Sequence, residues 1–203
     1  MESELVFQEK DHKYFLNGEE IPSVSELTRF LSREIYGEAD PIALERAAEK
    51  GTAVHKALQT LDETGEVEVY SDYEGYIQAY MNFHKDHKIE WKGIELQLEN
   101  GEYAGTLDRI GIVDGVDCIL DFKTTSRITK SHELLYSVAQ TLYFKLARRN
   151  YLIVDKLYIL QLKSDGTYKL IDLPFNLDLA EACLTFHRAI AKTKKKRTSK
   201  KQK

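Results

Sequence analysis

The dipeptide Asp114-Gly115 separates "YAGTLDRIGIV" from "VDCILDFKTT", and no other feature of the 203-residue chain restricts its fold as tightly. Both central positions of a type I′ hairpin turn need positive φ, which Asp-Gly accepts at little cost. With these two residues as the turn, Val113 pairs with Val116, Ile112 with Asp117, Ile110 with Ile119 and Asp108 with Asp121. Opposed residues of an antiparallel pair place their Cβ atoms about 4.5 to 5.5 Å apart on one face. The two-residue period of a strand adds Lys123 to that face, beside Asp121. Two carboxylates so close, flanked by Ile110, Ile112 and Ile119, repel each other and lose hydration.

A cation must answer them. Lys123 can do so by pairing with one aspartate, which makes a semi-buried ion pair. A divalent ion can do so by binding both, which frees Lys123 to orient or deprotonate a water, the arrangement that metal-assisted phosphodiester hydrolysis requires.

The elements around the hairpin follow from periodicity and caps. "ELVFQEKDHKYFLNGEEIPSV" predicts an opening hairpin with turns at Asp11-His12 and Asn17-Gly18. Ser23, with Glu26 three residues on, predicts the start of a helix through "VSELTRFL". A second helix starts near Asp40-Pro41, and Ala47, Val54, Leu58 and Leu61 form its expected core stripe. A third, "SDYEGYIQAYMNFHKDHK", carries Tyr73, Tyr76, Tyr80 and Phe83 at helical steps, a stripe that suits core packing better than base stacking. Extended segments at Trp91–Leu98 and Tyr103–Val113 precede the turn. A helix from Lys130, strands near Lys156–Leu162 and Tyr168–Leu173, and a helix from Asn176 follow "CILDFKTT". This order predicts an α/β (α+β) chain, one mixed sheet with an antiparallel hairpin and helices packed on its faces.

Composition narrows the functional classes. Only two cysteines occur, Cys118 and Cys183, too few for a disulfide framework, a four-cysteine zinc site or an iron–sulfur cluster. No apolar run reaches the length of a membrane span, and "MESELVFQEKDHKYF" lacks the character of a targeting peptide, so the expectation is a soluble, cytoplasmic protein. Eight of the 29 basic residues fall in "KTKKKRTSKKQK" from Lys192, which leaves 21 against 33 acids in the rest of the chain. A nucleic-acid binder with so acidic a body needs a basic groove, bound metal ions or the tail itself to meet phosphate. The expected organisation is one domain over residues 1–191 and a basic, disordered tail over 192–203.

His55 lies four residues after Gly51 on the second helix, so the two share a face, and a glycine there lets a helix approach a sheet or a phosphate closely. "GTAVHKAL", "EYAGTLDRI", "ILDFKTT" and "AQTLYFKLA", in this order, resemble the four motifs of RecB-like nucleases of the PD-(D/E)XK superfamily. "YFLNGEEIPSVSELTRFL" is further similar to the start of small stand-alone members, phage exonucleases and the mitochondrial genome maintenance exonuclease among them.

The resemblance implies a restriction-endonuclease-like core and a set of roles. His55, Asp108 and Asp121 become metal ligands, the Phe122 carbonyl a further one, and Lys123 the residue that positions or activates water and stabilises charge on the phosphate. Glu95 matches an upstream acid that holds a second ion. Thr124, Thr125, Ser126, Arg127 and Lys130 become candidate DNA contacts after the catalytic strand, although turn capping accounts equally well for the hydroxyls. In the fourth motif many members place a tyrosine four residues after the glutamine. Here that position is Phe144, whereas Tyr143 sits three after Gln140 and still shares its helix face. The implied activity is Mg²⁺- or Mn²⁺-dependent hydrolysis of DNA, with exonuclease action on ends or single strands in recombination, repair or replication. A single-strand annealing protein is the implied partner. The rival readings are a structure-selective or restriction-type endonuclease and a non-catalytic DNA-binding module.

Overall fold

The structure of the protein, a computed structural model, describes residues 4–37, 40–66 and 72–201, with side chains through 193. Strands β1 (Leu5–Gln8), β2 (Lys13–Leu16) and β3 (Glu19–Ile21) open the chain as an antiparallel meander. Its turns fall where the sequence predicts them, with His12, Asn17 and Gly18 in the left-handed region. Ser23 and Glu26 then exchange both bonds of a capping box and start α1 (Val24–Leu27). The helix expected to continue through "VSELTRFL" breaks at Thr28, whose hydroxyl bonds back to the Val24 carbonyl at 3.0 Å and competes with the helical ladder. The chain resumes as α2 (Arg29–Tyr36). Helix α3 (Pro41–Thr64) has Asp40 as its cap and Pro41 in its first turn, and Gly65 in the left-handed region ends it. Helix α4 (Glu74–Asp86) follows.

The remaining strands, β4 (Ile89–Glu99), β5 (Ala104–Val113), β6 (Val116–Lys123), β7 (Lys156–Leu162) and β8 (Tyr168–Leu173), form one mixed sheet in sequence order. The pairs are antiparallel except β6 with β7. A parallel pair needs a long crossover, and α5 (Lys130–Arg149) supplies it. Asp114 and Gly115 have φ of 51° and 84°, as a type I′ turn requires. The Asp114 carboxylate accepts the Lys88 N–H at 2.9 Å and meets His87 Nδ1 at 2.6 Å, which ties the hairpin tip to the end of α4.

The sheet buries an apolar cluster against each helical layer. On one side Ile110, Ile119 and Ile159 pack with Val138, Leu142 and Leu146 of α5 and Cys183 and Leu184 of α6 (Leu177–Lys201). On the other, Cys118, Leu120 and Phe122 pack with Val54 and Leu58 of α3 and Tyr76, Tyr80 and Phe83 of α4. The aromatic stripe of α4 is therefore core.

The opening strands make a sheet of their own, which meets β5 through the Ala104 N–H to the Pro22 carbonyl and through Tyr14 to Thr106. One expectation about the core changes. Ala47 is exposed, because the fully buried side chains of α3 are Val54 and Leu58, both in its second half. The basic stretch from Lys192 continues α6 as helical backbone to Lys201, consistent with the good helix propensity of Lys and Arg; residues 202 and 203 lie outside the described residues. Among the described residues no helix is long and apolar enough to cross a membrane.

Candidate active site

Glu95 and Asp108 meet because of a one-residue slip. β4 and β5 pair Trp91 with Gly111, then Gly93 with Ile110, so one residue is bulged out of β4. Beyond the bulge Ile94 pairs with Arg109 and Leu96 with Leu107, which sets Glu95 opposite Asp108; without it Ile94 would lie there. Like charges directly opposed on a sheet are destabilising. Glu95 also has φ of 46°, a left-handed conformation that non-glycine residues seldom adopt and that concentrates at functional sites.

Helix α3 brings the third member. His55 Nδ1 stands 3.5 Å from Asp108 Oδ2, and its ring sits edge-on to Phe122 with centroids 5.5 Å apart. The side-chain ligand atoms of His55, Glu95 and Asp108 all lie within 4.8 Å of one another, a spacing that one divalent ion spans. Glu95, expected to serve a second ion, belongs to this same cluster.

The hairpin register holds from Val113–Val116 to Arg109–Leu120 and stops there. At the next step Asp108 Oδ2 accepts the Phe122 N–H at 2.8 Å. Asp121 forms an ion pair with Lys123, whose Nζ stands 5.2 Å from the centre of the Tyr136 ring. The two ways of answering the carboxylates thus occur side by side: an ion pair at Asp121 and a ligand cluster at Asp108.

The electrostatics follow the burial. Burial and the Asp108 charge push the Glu95 carboxyl up to about 7. Burial also raises Asp121, with Asp108 adding to it against the pull of Lys123. Burial works against the Asp108 carboxylate too, but His55, Lys123 and the Phe122 N–H together hold it below the usual range. Burial lowers His55, and Asp108 outweighs that and keeps it raised. Lys123 is likewise raised, the two aspartates outweighing its burial. The ammonium form of Lys123 is thereby favoured.

These shifts set a pH dependence. A carboxyl raised in the folded state binds protons that the unfolded chain has released, so ionising Glu95 costs stability as pH rises from its unfolded value toward about 7. His55, raised by Asp108, stabilises the fold below its unfolded value and loses that contribution as pH climbs through its folded one, which has the same sign. The melting temperature of the metal-free protein is expected to fall between about pH 5.5 and about pH 8, and Mn²⁺ to raise it more at the higher pH. Glu95→Gln should flatten both trends. Equal Mn²⁺ shifts at the two pH values would argue against Glu95 as a ligand.

Of Tyr143 and Phe144, Tyr143 lies nearer the acidic groups. Its hydroxyl feels Asp121, Asp108 and Glu95 and, by burial above all, is raised well above its ordinary value. Phe144 turns away onto Phe175, with ring centroids 4.6 Å apart. Gly105 makes room for the tyrosine, since a Cβ there would lie 2.5 Å from Tyr143 Cε1. Gln140 is buried, and neither atom of its amide has a hydrogen-bond partner among the described residues.

Downstream of β6, Thr124 and Thr125 line a cavity beside Lys123, and the Thr125 hydroxyl caps the local turn onto the Arg127 carbonyl at 3.2 Å. Ser126 and Arg127 are exposed, and Lys130 pairs on the surface with Glu133 at 2.6 Å. A Cβ at Gly51 would sit 3.9 Å from Thr124 Oγ1, an ordinary contact, so protein packing does not require that glycine.

Sequence reasoning missed the group behind the site. Arg109 is fully buried; its Nε donates to Asp62 at 2.7 Å and its Nη1 to the Asp108 carbonyl at 2.6 Å and to Glu95 at 3.4 Å. Asp62 also accepts from the Tyr80 hydroxyl at 2.6 Å. The available signal was spacing: Asp62 is seven residues after His55, hence on the same face of α3, and Arg109 directly follows Asp108.

No protein-family model matches the chain, and no curated protein does. Among solved structures, the chain is similar to the alkaline exonuclease LHK-Exo from Laribacter hongkongensis, with 11% identity and a TM-score of 0.41 over 74% of this chain and 84% of that one. It is also similar to a phage-related exonuclease from Haemophilus somnus 129PT, with 12% identity and a TM-score of 0.39 over 85% of this chain and 96% of the other.

Proposed function

We propose that the protein is a divalent-metal-dependent nuclease that hydrolyses DNA phosphodiester bonds, acting as an exonuclease on ends or single strands. The observation that carries this reading is the convergence of His55, Glu95 and Asp108 from three elements, with Lys123 and Asp121 paired beside them. His55, Glu95 and Asp108 would hold Mg²⁺ or Mn²⁺. When bound, the ion supplies charge neutralisation at the phosphate and acidification of a water. Asp121, paired with Lys123 beside these residues, would accept a proton from the attacking water. Lys123, charged throughout, donates to that water or to a phosphate oxygen as negative charge grows there. The ordered resemblance of the four motifs to RecB-like nucleases supports the same assignment.

The test uses end-labelled linear and covalently closed circular single-stranded DNA with Mg²⁺, Mn²⁺ or EDTA. Cleavage of the linear substrate that EDTA abolishes, with circles intact, is the expected result. Absent or metal-independent cleavage would favour the non-catalytic reading. Efficient cutting of circles would replace the exonuclease with an endonuclease.

A further inference from the structure

A cavity of about 390 Å³ opens directly beside Lys123. One wall is aromatic: the Tyr36 and His132 rings lie 21° from parallel with centroids 5.2 Å apart, and His132 and Tyr136 lie 14° from parallel at 6.1 Å. The hydroxyls of Tyr36 and Tyr136 meet at 3.1 Å and lock the two residues together across α2 and α5. Leu44 and Ala47, from the exposed first half of α3, add an aliphatic lining. The volume lies in the range of a small-molecule site, and an apolar slot with a few polar edges suits a flat heteroaromatic ring.

We infer that this slot takes the unstacked base of the nucleotide next to the scissile phosphate, which makes single-stranded or frayed-end DNA the substrate class. The inference rests on the nuclease reading, because Lys123 belongs both to the reacting centre and to the cavity lining. A phosphate held at Lys123 carries its base on the adjoining sugar, within reach of the slot. A base inside a duplex has both faces covered by its neighbours and its edge paired, so it enters only after unstacking.

Tyr36 is the residue to test, since it belongs to neither the His55–Glu95–Asp108 cluster nor the Asp121–Lys123 pair, although its hydroxyl is near enough to help raise Lys123, whereas His132 also caps α5 through the Thr129 N–H. The full chain in EDTA is titrated with a single-stranded oligonucleotide bearing 2-aminopurine, whose emission falls on stacking. Wild type should quench it, and so should Tyr36→Phe and Tyr36→Trp, which keep a ring. Tyr36→Leu, with a melting temperature matching wild type, should lose the quenching, bind about tenfold more weakly and raise KM about tenfold, as loss of one base–aromatic stack predicts. A folded Tyr36→Leu that quenches and binds as wild type does overturns the inference, as does loss in Tyr36→Phe, which would assign the effect to the hydroxyl pair. The binding readout needs no metal. Hence Tyr36-dependent quenching without any metal-dependent cleavage would sink the nuclease reading alone, and normal cleavage with Tyr36-independent binding would sink the slot alone.

Discussion

Lys123→Ala is expected to lower turnover by on the order of 10²- to 10³-fold, the scale seen when a single donor to developing negative charge is removed. The ammonium is held in place by its ion pair with Asp121 and by the Tyr136 ring, so it needs little reorganisation as charge grows on the phosphate. Because it is raised, it keeps its proton at neutral pH, and the loss should appear in kcat and not as a shifted pH optimum. The group able to hold a metal ion, His55, Glu95 and Asp108, does not include Lys123, so the expected Mn²⁺-dependent rise in melting temperature should survive the substitution. Lys123→Met, which keeps the apolar stem, should be as slow as the alanine variant. A variant that cuts DNA at the wild-type rate would show that Lys123 is only the counter-ion of Asp121.

Arg109→Met is expected to have the largest effect on folding. Arg109 is wholly buried, its guanidinium lies 5.0 Å from the centre of the Phe122 ring, and Asp62 beside it is almost as inaccessible. Removing one partner of a buried pair leaves an uncompensated charge, at a cost of about 3–5 kcal/mol. For a chain of this length that is a drop of roughly 10 °C or more in melting temperature. Adding Asp62→Asn to the variant should recover part of the loss, since the orphaned charge is then gone. A single variant melting within a degree or two of wild type would mean that Asp62 finds its compensation elsewhere, from Tyr80 for example. The same substitution frees the Glu95 carboxylate, so metal affinity should change along with stability.

How much of this could be read in advance depended on whether local chemistry decided the geometry. The Asp114-Gly115 turn demands one backbone conformation, and the pairing from Val113–Val116 to Arg109–Leu120 followed from it. The Ser23 cap and the start of α3 at Pro41 are likewise local, and both were legible. Glu95 was recognisable as an acid near the site, but its place in the first cluster depends on a bulge in β4 that periodicity alone does not announce. Gly93, within that bulge, was the only hint. The pairing of Arg109 with Asp62 joins a helix to a strand distant in sequence, and its one trace was that each residue shares its element with a site residue, His55 or Asp108. Ala47 kept the spacing of the core stripe yet faces the cavity, because a stripe records which residues share a face and not how far along the helix the core extends. The room that Tyr143 occupies depends on Gly105, a residue on another element.

Helix α3 carries Leu44 and Ala47 at the cavity, His55 at the ligand cluster and Asp62 on Arg109, all on one continuous rod. At 3.6 residues per turn, one residue inserted between Ala47 and His55 would swing the cavity wall about 100° around the axis relative to the ligand. The residues that line the cavity can therefore be exchanged one by one without moving His55, whereas a change in the number of residues between Ala47 and His55 would turn the cavity wall away from it.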